Sequence, residues 1–266
     1  MVEVIARAAN QGTALAARYD RPMPPLHFPR VQFFGRTWQE YEQIWNLRLD
    51  DLHGTRVLDC PCGPASFVSE GRKRGIDIVG CDPLFALSIE KLRAQGEADI
   101  VDCIQLSRTE NPRLAGDDPE TYAHDKRLAL DELLDDFSKH GPAGPECDSR
   151  YVNAALPVLP FADRSFDLAL SAHFLFTYAP VEDAGMLETR EFDLAFHLRA
   201  TSGLARVARE IRLYPCYGLD PTRPMRHPYA DAVLEHLRSI GMTARYEPST
   251  YDQGVPQWNF SIVASW

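Results

Sequence analysis

Apolar residues recur along the chain with two spacings, which indicate alternating strands and helices. Short runs rich in Val, Ile and Leu predict strands at residues 56–58, 76–81, 151–156, 166–171, 210–215, 243–246 and 259–265. Apolar positions three or four residues apart predict helices between these strands, at residues 66–74, 83–95, 118–139, 190–209 and 229–240. A further helix is expected after Thr37, because Glu40 completes a capping box with it. Regular alternation of this kind is typical of an α/β fold.

The first strand ends abruptly in an acid and a turn of small residues. The sequence there is Asp59-Cys60-Pro61-Cys62-Gly63, followed by the helix-compatible stretch at residues 66–74. In open α/β sheets, ligands bind in the crevice at such strand ends, where the free N–H groups of a helix start are available. The second strand ends in Asp82, which is placed to accept hydrogen bonds from the two hydroxyls of a ribose.

Three segments together resemble the class I S-adenosylmethionine (SAM) dependent methyltransferases. Asp59-x-Pro61-x-Gly63-x-Ala65 looks like the first motif of that family, which usually has Gly where this chain has Pro61 and Ala65. Asp82 falls where the family holds the ribose, and residues 159–170 are similar to its Leu-Pro-Phe-x-Asp-x-Ser-Phe-Asp segment before the fourth strand. The resemblance covers roughly residues 50–215. It implies a Rossmann-like, seven-stranded, mostly parallel sheet with helices on both faces, a closing antiparallel strand, and SAM as the cofactor.

The resemblance also implies which residues contact the cofactor. The segment before the first strand is expected to hold the methionine carboxylate, for which Arg36 offers a planar fork. The turn after that strand faces the cofactor, and Pro83 and Leu84 are expected to lie against the adenine. Asn153 stands where the family has an acid that meets the adenine amino group. The full set of expected contacts comprises Arg36, Tyr41, Asp59, Cys60, Pro61, Gly63, Asp82, Pro83, Leu84, Asn153, Ala154, Ser171 and Ala172.

Candidate catalytic residues follow the fourth strand, where related enzymes place the acceptor and a base. His173 has an ordinary pKa near neutrality, which suits a general base, although a histidine among aromatic residues also suits a structural role. Tyr178 offers a ring face or hydroxyl to the sulfonium, or else packs in the core. Asn153 is a third candidate, through its side-chain carbonyl.

We predict a single domain over residues 1–266 with two additions to the family core. Residues 1–50 begin with an Ala-rich helix at residues 2–18 and are expected to form a helical lid over the cofactor or a cap on the sheet. Residues 99–149 are expected to form a helical insertion over the pocket that shapes the substrate site.

Composition narrows the choice of partner. A formal net charge of -10, with no basic stripe, argues against nucleic acid and favours a small-molecule substrate. The absence of a long apolar run and of a basic, apolar N-terminus leads us to expect no membrane association and a cytoplasmic location. The six cysteines are expected to be reduced, and the spacing of Cys60, Cys62 and Cys81 is unlike that of a zinc site, so we expect no metal.

Three functions are consistent with these residues. The first is methyl transfer from SAM to a small-molecule acceptor. The second is a SAM-consuming cyclase of the azetidine-2-carboxylate synthase type, in which the amine of SAM attacks its own γ carbon and methylthioadenosine leaves. The third is a protein that binds SAM without catalysis, which the presence of Asp59 and Asp82 disfavours.

Overall fold

A computed structural model describes residues 27–109, 118–218, 225–251 and 258–266. The helix expected at residues 2–18 lies outside these ranges. The described residues form nine strands: β1 Arg56–Asp59, β2 Asp77–Cys81, β3 Tyr151–Val152, β4 Phe166–Ala172, β5 Ala208–Tyr214, β6 Tyr217–Gly218, β7 Met225–Arg226, β8 Thr243–Pro248 and β9 Phe260–Ser265.

Seven of these strands form one sheet in the order β3-β2-β1-β4-β5-β9-β8. The pairs from β3 to β5 are parallel, whereas β9 runs antiparallel to both β5 and β8. Strands β6 and β7 form a separate two-stranded antiparallel ladder. The Rossmann-like, mostly parallel sheet with a closing antiparallel strand is thereby confirmed. The strand order reverses at β1, because β2 and β3 lie on one side of it and β4 and β5 on the other. Such a switch point places a crevice at the carboxyl ends of the central strands.

The described ranges contain seven α-helices, which connect and flank the strands: α1 Trp38–Trp45, α2 Leu49–Leu52, α3 Phe67–Lys73, α4 Ile89–Thr109, α5 Pro119–His140, α6 Leu194–Val207 and α7 Ala230–Ser239. None of the helices within the described ranges is both long and apolar enough to cross a bilayer.

Alternate residues of each strand enter two separate cores, one on each face of the sheet. Val57 and Ile78 pack with residues of α1, α3 and α5, while their neighbours Leu58 and Val79 pack with residues of α6 and α7. This division follows from the two-residue period of a strand and confirms helices on both faces.

The helix expected at residues 83–95 is wrong in both of its bounds. Pro83–Ala86 is a short 3-10 helix capped by Asp82, and Leu87 is extended, so the regular helix begins only at Ile89. That helix then continues through Gly96 to Thr109. A Cβ atom at Gly96 would lie 2.8 Å from Leu130 of α5, so this glycine marks a close helix contact and not a helix end.

Two further expectations need correction. The third strand has only two residues, because the chain turns at Leu156 and Pro157, and Pro157 has no N–H to donate to a ladder. Residues 190–193 precede α6, since the Asp193 side chain caps the helix by accepting a hydrogen bond from the Phe196 N–H. The β6–β7 ladder and the short helix α2 were not predicted.

Candidate functional site

A cavity of about 740 Å³ lies at the carboxyl ends of β1, β2 and β4. That volume is in the upper part of the range for small-molecule sites, about 300–1,000 Å³. Twelve of the residues singled out from the sequence line it: Arg36, Tyr41, Cys60, Pro61, Gly63, Asp82, Pro83, Leu84, Ala154, Ala172, His173 and Tyr178.

Asp82 joins the β1 turn to the tip of β2. Its Oδ2 accepts a 3.0 Å hydrogen bond from the Gly63 N–H, and its Oδ1 accepts a 2.9 Å bond from the Leu84 N–H. Each carboxylate oxygen has a second lone pair, so both can also accept from a ligand. Burial raises the pKa of Asp82 to about 6, although the two N–H donors oppose the rise. Gly63 adopts a φ of 52°, a left-handed conformation that favours glycine.

Asp59 is placed behind the cavity lining. It is completely buried, and its Oδ2 accepts a 2.8 Å hydrogen bond from the hydroxyl of Tyr41, which does line the cavity and stacks on Phe67. Its Oδ1 has no hydrogen-bond partner, and burial raises the pKa of the carboxyl to about 8. Asp59 therefore holds the hydroxyl of Tyr41 through a hydrogen bond, and Asp59 itself does not lie at the cavity surface.

Residues 30–36 form a segment that we call the strap, which lines the cavity along its length. It is fixed to the rest of the fold at three points. Asp99 of α4 binds Arg30 with an Nη1–Oδ2 distance of 2.9 Å and also accepts from the Phe33 N–H at 2.6 Å. The Gln32 N–H donates to the Tyr178 hydroxyl at 3.2 Å. A Cβ at Gly35 would lie 2.0 Å from the Pro64 carbonyl oxygen, so the strap touches the turn after β1.

The described part of the predicted lid, residues 27–50, thus contains both the strap and α1. The insertion at residues 99–149 contacts the strap on the side away from the cavity. No residue of the described parts of 99–149 lines the cavity, but α5 packs on the strap, where Tyr122 meets Phe34 with ring centroids 5.7 Å apart.

Arg36 ends the strap and is buried at the cavity wall, with 8% of its surface exposed. Its Nε has no hydrogen-bond partner and lies 3.7 Å from Oε1 of Glu40, beyond hydrogen-bond length. A buried guanidinium N–H without an acceptor is costly, which makes this atom a candidate ligand contact.

The loop after β4 brings Ala172, His173 and Tyr178 to the cavity. His173 adopts a φ of 51°, a left-handed conformation that is uncommon for a residue with a side chain. Its ring packs edge-on against Tyr214, and its backbone N–H donates to the Tyr214 carbonyl at 2.6 Å. Burial raises the pKa of Tyr178, so its hydroxyl stays neutral.

Two other expected site residues do not reach the cavity lining. Asn153 is exposed at the end of β3, while its neighbour Ala154 lines the cavity and accepts a hydrogen bond from the Cys81 thiol. Ser171 is buried within β4, and its Oγ has no hydrogen-bond partner.

An aromatic wall was not predicted. It consists of Phe174, Phe192 and Phe196, with ring centroids 5.1 Å apart for Phe174–Phe192 and 4.6 Å for Phe192–Phe196. The exposed side chains of Glu191 and Arg199 lie at its edge. The sequence carried a partial signal, because Phe192 and Phe196 are four residues apart within the helix predicted at residues 190–209. In the structure Phe192 precedes α6, so their contact depends on the loop before the helix.

Cys60 and Cys62 line the cavity, and both are buried cysteines that form no disulfide. Burial raises the pKa of Cys62, and hydrogen bonding to Cys81 together with burial raises that of Cys60. Among the residues that the structure describes, no group of three or more His, Cys, Asp or Glu side chains is arranged to hold a metal ion.

The fold and cavity together define a Rossmann-like α/β protein with a cavity at the carboxyl ends of its strands. No protein-family model matches the chain. The chain is 24% identical over 238 residues to an uncharacterized protein of Methanocaldococcus jannaschii, an alignment that covers 85% of this chain and 93% of that protein. The two chains are thus similar over most of their lengths, and the match carries no activity to this one.

Proposed function

We propose that this protein binds SAM in the cavity and transfers its methyl group to a small-molecule acceptor. The observation that carries the proposal is the arrangement of Asp82, whose two carboxylate oxygens are fixed by the N–H groups of Gly63 and Leu84 at the cavity surface. A carboxylate held in this way is suited to accept from both hydroxyls of a ribose. Pro83 and Leu84 provide an apolar surface beside it for the adenine.

The other end of SAM would lie near the strap. Arg36 offers an unpartnered Nε to the methionine carboxylate, and the ring of Tyr178 provides a face that attracts a sulfonium within about 6 Å. When bound, SAM supplies an electrophilic methyl group on a good leaving group. The protein then needs to align and desolvate the acceptor, which requires no fixed set of catalytic side chains.

The aromatic wall is the proposed place for the acceptor, because it forms part of the same cavity yet belongs to α6 and the loops before it. His173 lies between this wall and the β4 end and stays our candidate for the base. Asn153 is exposed, and its proposed contact with adenine or the reacting arm would require a rearrangement of the β3 end.

A second candidate is the SAM-consuming cyclase. The observation that favours it is the strap, since the Gln32–Tyr178 and Arg30–Asp99 contacts hold residues 30–36 along the cavity wall. We infer that this segment closes over the aminobutyryl arm of bound SAM. Such closure would fold the arm back and exclude an external acceptor. The third candidate, SAM binding without catalysis, would use the same residues of the Asp82 end.

Incubation of the purified protein with SAM alone, followed by mass spectrometry, separates these candidates. Methyl transfer predicts intact SAM until an acceptor is added, and then S-adenosylhomocysteine. Methylthioadenosine with a four-carbon cyclic product would identify the cyclase, and intact SAM with every acceptor class would favour binding alone. Because the cysteines at the site are free thiols, we propose a reducing, cytoplasmic location.

A further inference from the structure

A buried cluster of charges lies directly behind the cavity wall and includes a lysine from the insertion helix. Lys126 of α5 is completely buried, and its ammonium binds both carboxylate oxygens of Glu40, with a distance of 2.5 Å to Oε2. Arg36 is the third member of this cluster. Burial, and then the charge of Arg36, lower the pKa of Lys126 to about 7 although Glu40 opposes this, so the net charge of the cluster lies between 0 and +1 near neutral pH. A buried cluster with more cations than anions is unusual without an anionic ligand.

The Glu40 carboxylate is saturated by donors other than Arg36. Besides Lys126, the Tyr251 hydroxyl donates to Oε1 at 2.5 Å and the Thr37 N–H donates to Oε2 at 2.8 Å. A carboxylate offers about four acceptor positions, and these donors occupy them. Although burial opposes it, the charges of Lys126 and Arg36 lower the pKa of Glu40 to about 2, so the carboxylate is fully ionised at neutral pH.

Arg36 would otherwise be the natural partner of Glu40. The two residues are four apart at the start of α1, and their charges are only 3.7 Å apart at the nearest atoms. This is an ion pair without a hydrogen bond, whereas an arginine and a carboxylate with a free acceptor position favour a shorter, charge-assisted hydrogen bond. Here the guanidinium Nε keeps no partner.

The geometry points to Lys126 as a positioning residue: it occupies the Glu40 carboxylate and thereby leaves the Nε of Arg36 available to the carboxylate of a bound ligand. The Nη1 of the same guanidinium donates to the Gly35 carbonyl at 3.4 Å. This inference rests on the proposed function, in which that ligand is SAM. It gives the insertion at residues 99–149 a role in ligand selection, although none of its described residues lines the cavity. Arg36 would contact the ligand, and Lys126 would act only through Glu40.

The test compares two ligands that differ by one carboxylate, SAM and decarboxylated SAM, by calorimetric titration of the full chain. In wild type, SAM should bind more tightly than its decarboxylated form. Lys126→Met keeps the length of the side chain and removes the donor, so Glu40 should pair with Arg36. We expect the affinity for SAM to fall by about 10- to 100-fold, and that for decarboxylated SAM to change by less than about threefold.

The matched control is a second substitution, at Glu40, that should restore the preference for SAM. In the double variant Lys126→Met, Glu40→Gln the competing carboxylate is absent, so the preference for SAM should return. Tyr251→Phe removes a smaller donor to Glu40 and should cause a weaker, equally selective loss; it also serves if Lys126→Met does not fold.

Equal losses for both ligands in Lys126→Met and Tyr251→Phe would show a purely structural role and overturn the inference, as would an unchanged preference for SAM. If wild-type protein binds neither ligand, the proposed function fails and the inference falls with it. If wild type binds both with the expected preference while the variants behave like wild type, only the inference fails.

Discussion

The N–H of Gly63, in the turn after β1, donates a 3.0 Å hydrogen bond to the carboxylate of Asp82 at the end of β2. This contact joins two segments 19 residues apart in the chain and fixes the orientation of an acid that lines the cavity. The position of the Asp82 oxygens is therefore set by backbone before any ligand arrives, which is the preorganisation that a ribose site requires.

The protonation of Asp82 leads to the first prediction. Because the pKa of this carboxyl is raised to about 6, it is ionised above pH 6 and protonated below it. A protonated carboxyl has fewer acceptor positions than a carboxylate, so it cannot accept from the Gly63 N–H and from both ribose hydroxyls as well as the ionised form can. We expect the affinity for SAM, measured by titration between pH 5 and pH 8, to weaken as the pH falls through about 6. Asp82→Asn, which does not titrate, should bind more weakly at pH 8 and lose this dependence; an unchanged pH profile in the variant would exclude Asp82 as its source.

Gly35 provides a test of the strap. A Cβ there would lie 2.0 Å from the Pro64 carbonyl oxygen and 2.8 Å from the Ala65 backbone nitrogen, and these are backbone atoms that cannot rotate away. Gly35→Ala should push the strap off the turn after β1, with a loss of stability of about 1–3 kcal/mol in chemical denaturation and weaker SAM binding. If the variant matches wild type in both measurements, the strap is not held against this turn.

Gly96 and Leu130 test the contact between α4 and α5. A Cβ at Gly96 would lie 2.8–2.9 Å from the methyl carbons of Leu130, so the cost of Gly96→Ala should depend on that side chain. We expect Gly96→Ala to destabilise wild type but to be stabilising in a Leu130→Ala background, where alanine gains about 1 kcal/mol of helix propensity. Additive free energies of unfolding in the four proteins of this cycle would contradict the packing described for these helices.

The raised pKa of the buried Asp59 carboxyl leads us to predict that the stability of the protein depends on pH. Its pKa is raised from 3.8 to about 8 by burial, so the folded state binds the proton more tightly than the unfolded state. The stability that this group contributes is fully present below pH 4 and is lost as the pH rises through about 8. Asp59→Asn removes the titration, so its stability relative to wild type should rise between pH 6 and pH 9 in chemical denaturation. A constant difference between the two proteins across that range would refute this account. Asp77→Asn, at the half-buried start of β2, serves as the control for loss of a carboxylate that is paired with arginines.

The sequence predicts most of the fold because its signals are local. The capping box of Thr37 and Glu40, the run from Val57 into the turn at Gly63, and the acid at Asp82 all depend on neighbouring residues. The structure agrees with these features, since both bonds of the capping box are present and Asp82 lies at the cavity surface.

The features that the sequence did not predict depend on contacts between distant residues. Gly96 in the sequence suggests the end of a helix. In the structure it lies inside α4, where Leu130 of α5 packs against it. Likewise, Lys126 looks like part of a solvated helix face, and only the fold brings it to Glu40, 86 residues earlier in the chain. Asn153 was expected at the adenine because it stands where the resembled family has an acid, but the early end of β3 leaves it exposed.

The most direct test of the central claim is a calorimetric titration of SAM into wild-type protein and into Asp82→Ala at pH 7.5, with folding of both checked by thermal denaturation. We expect saturable binding to wild type and a loss of about 1–3 kcal/mol of binding free energy in the variant, as removal of the ribose hydrogen bonds predicts. Absence of SAM binding by wild type, or equal affinity in a folded Asp82→Ala protein, would contradict the proposed site.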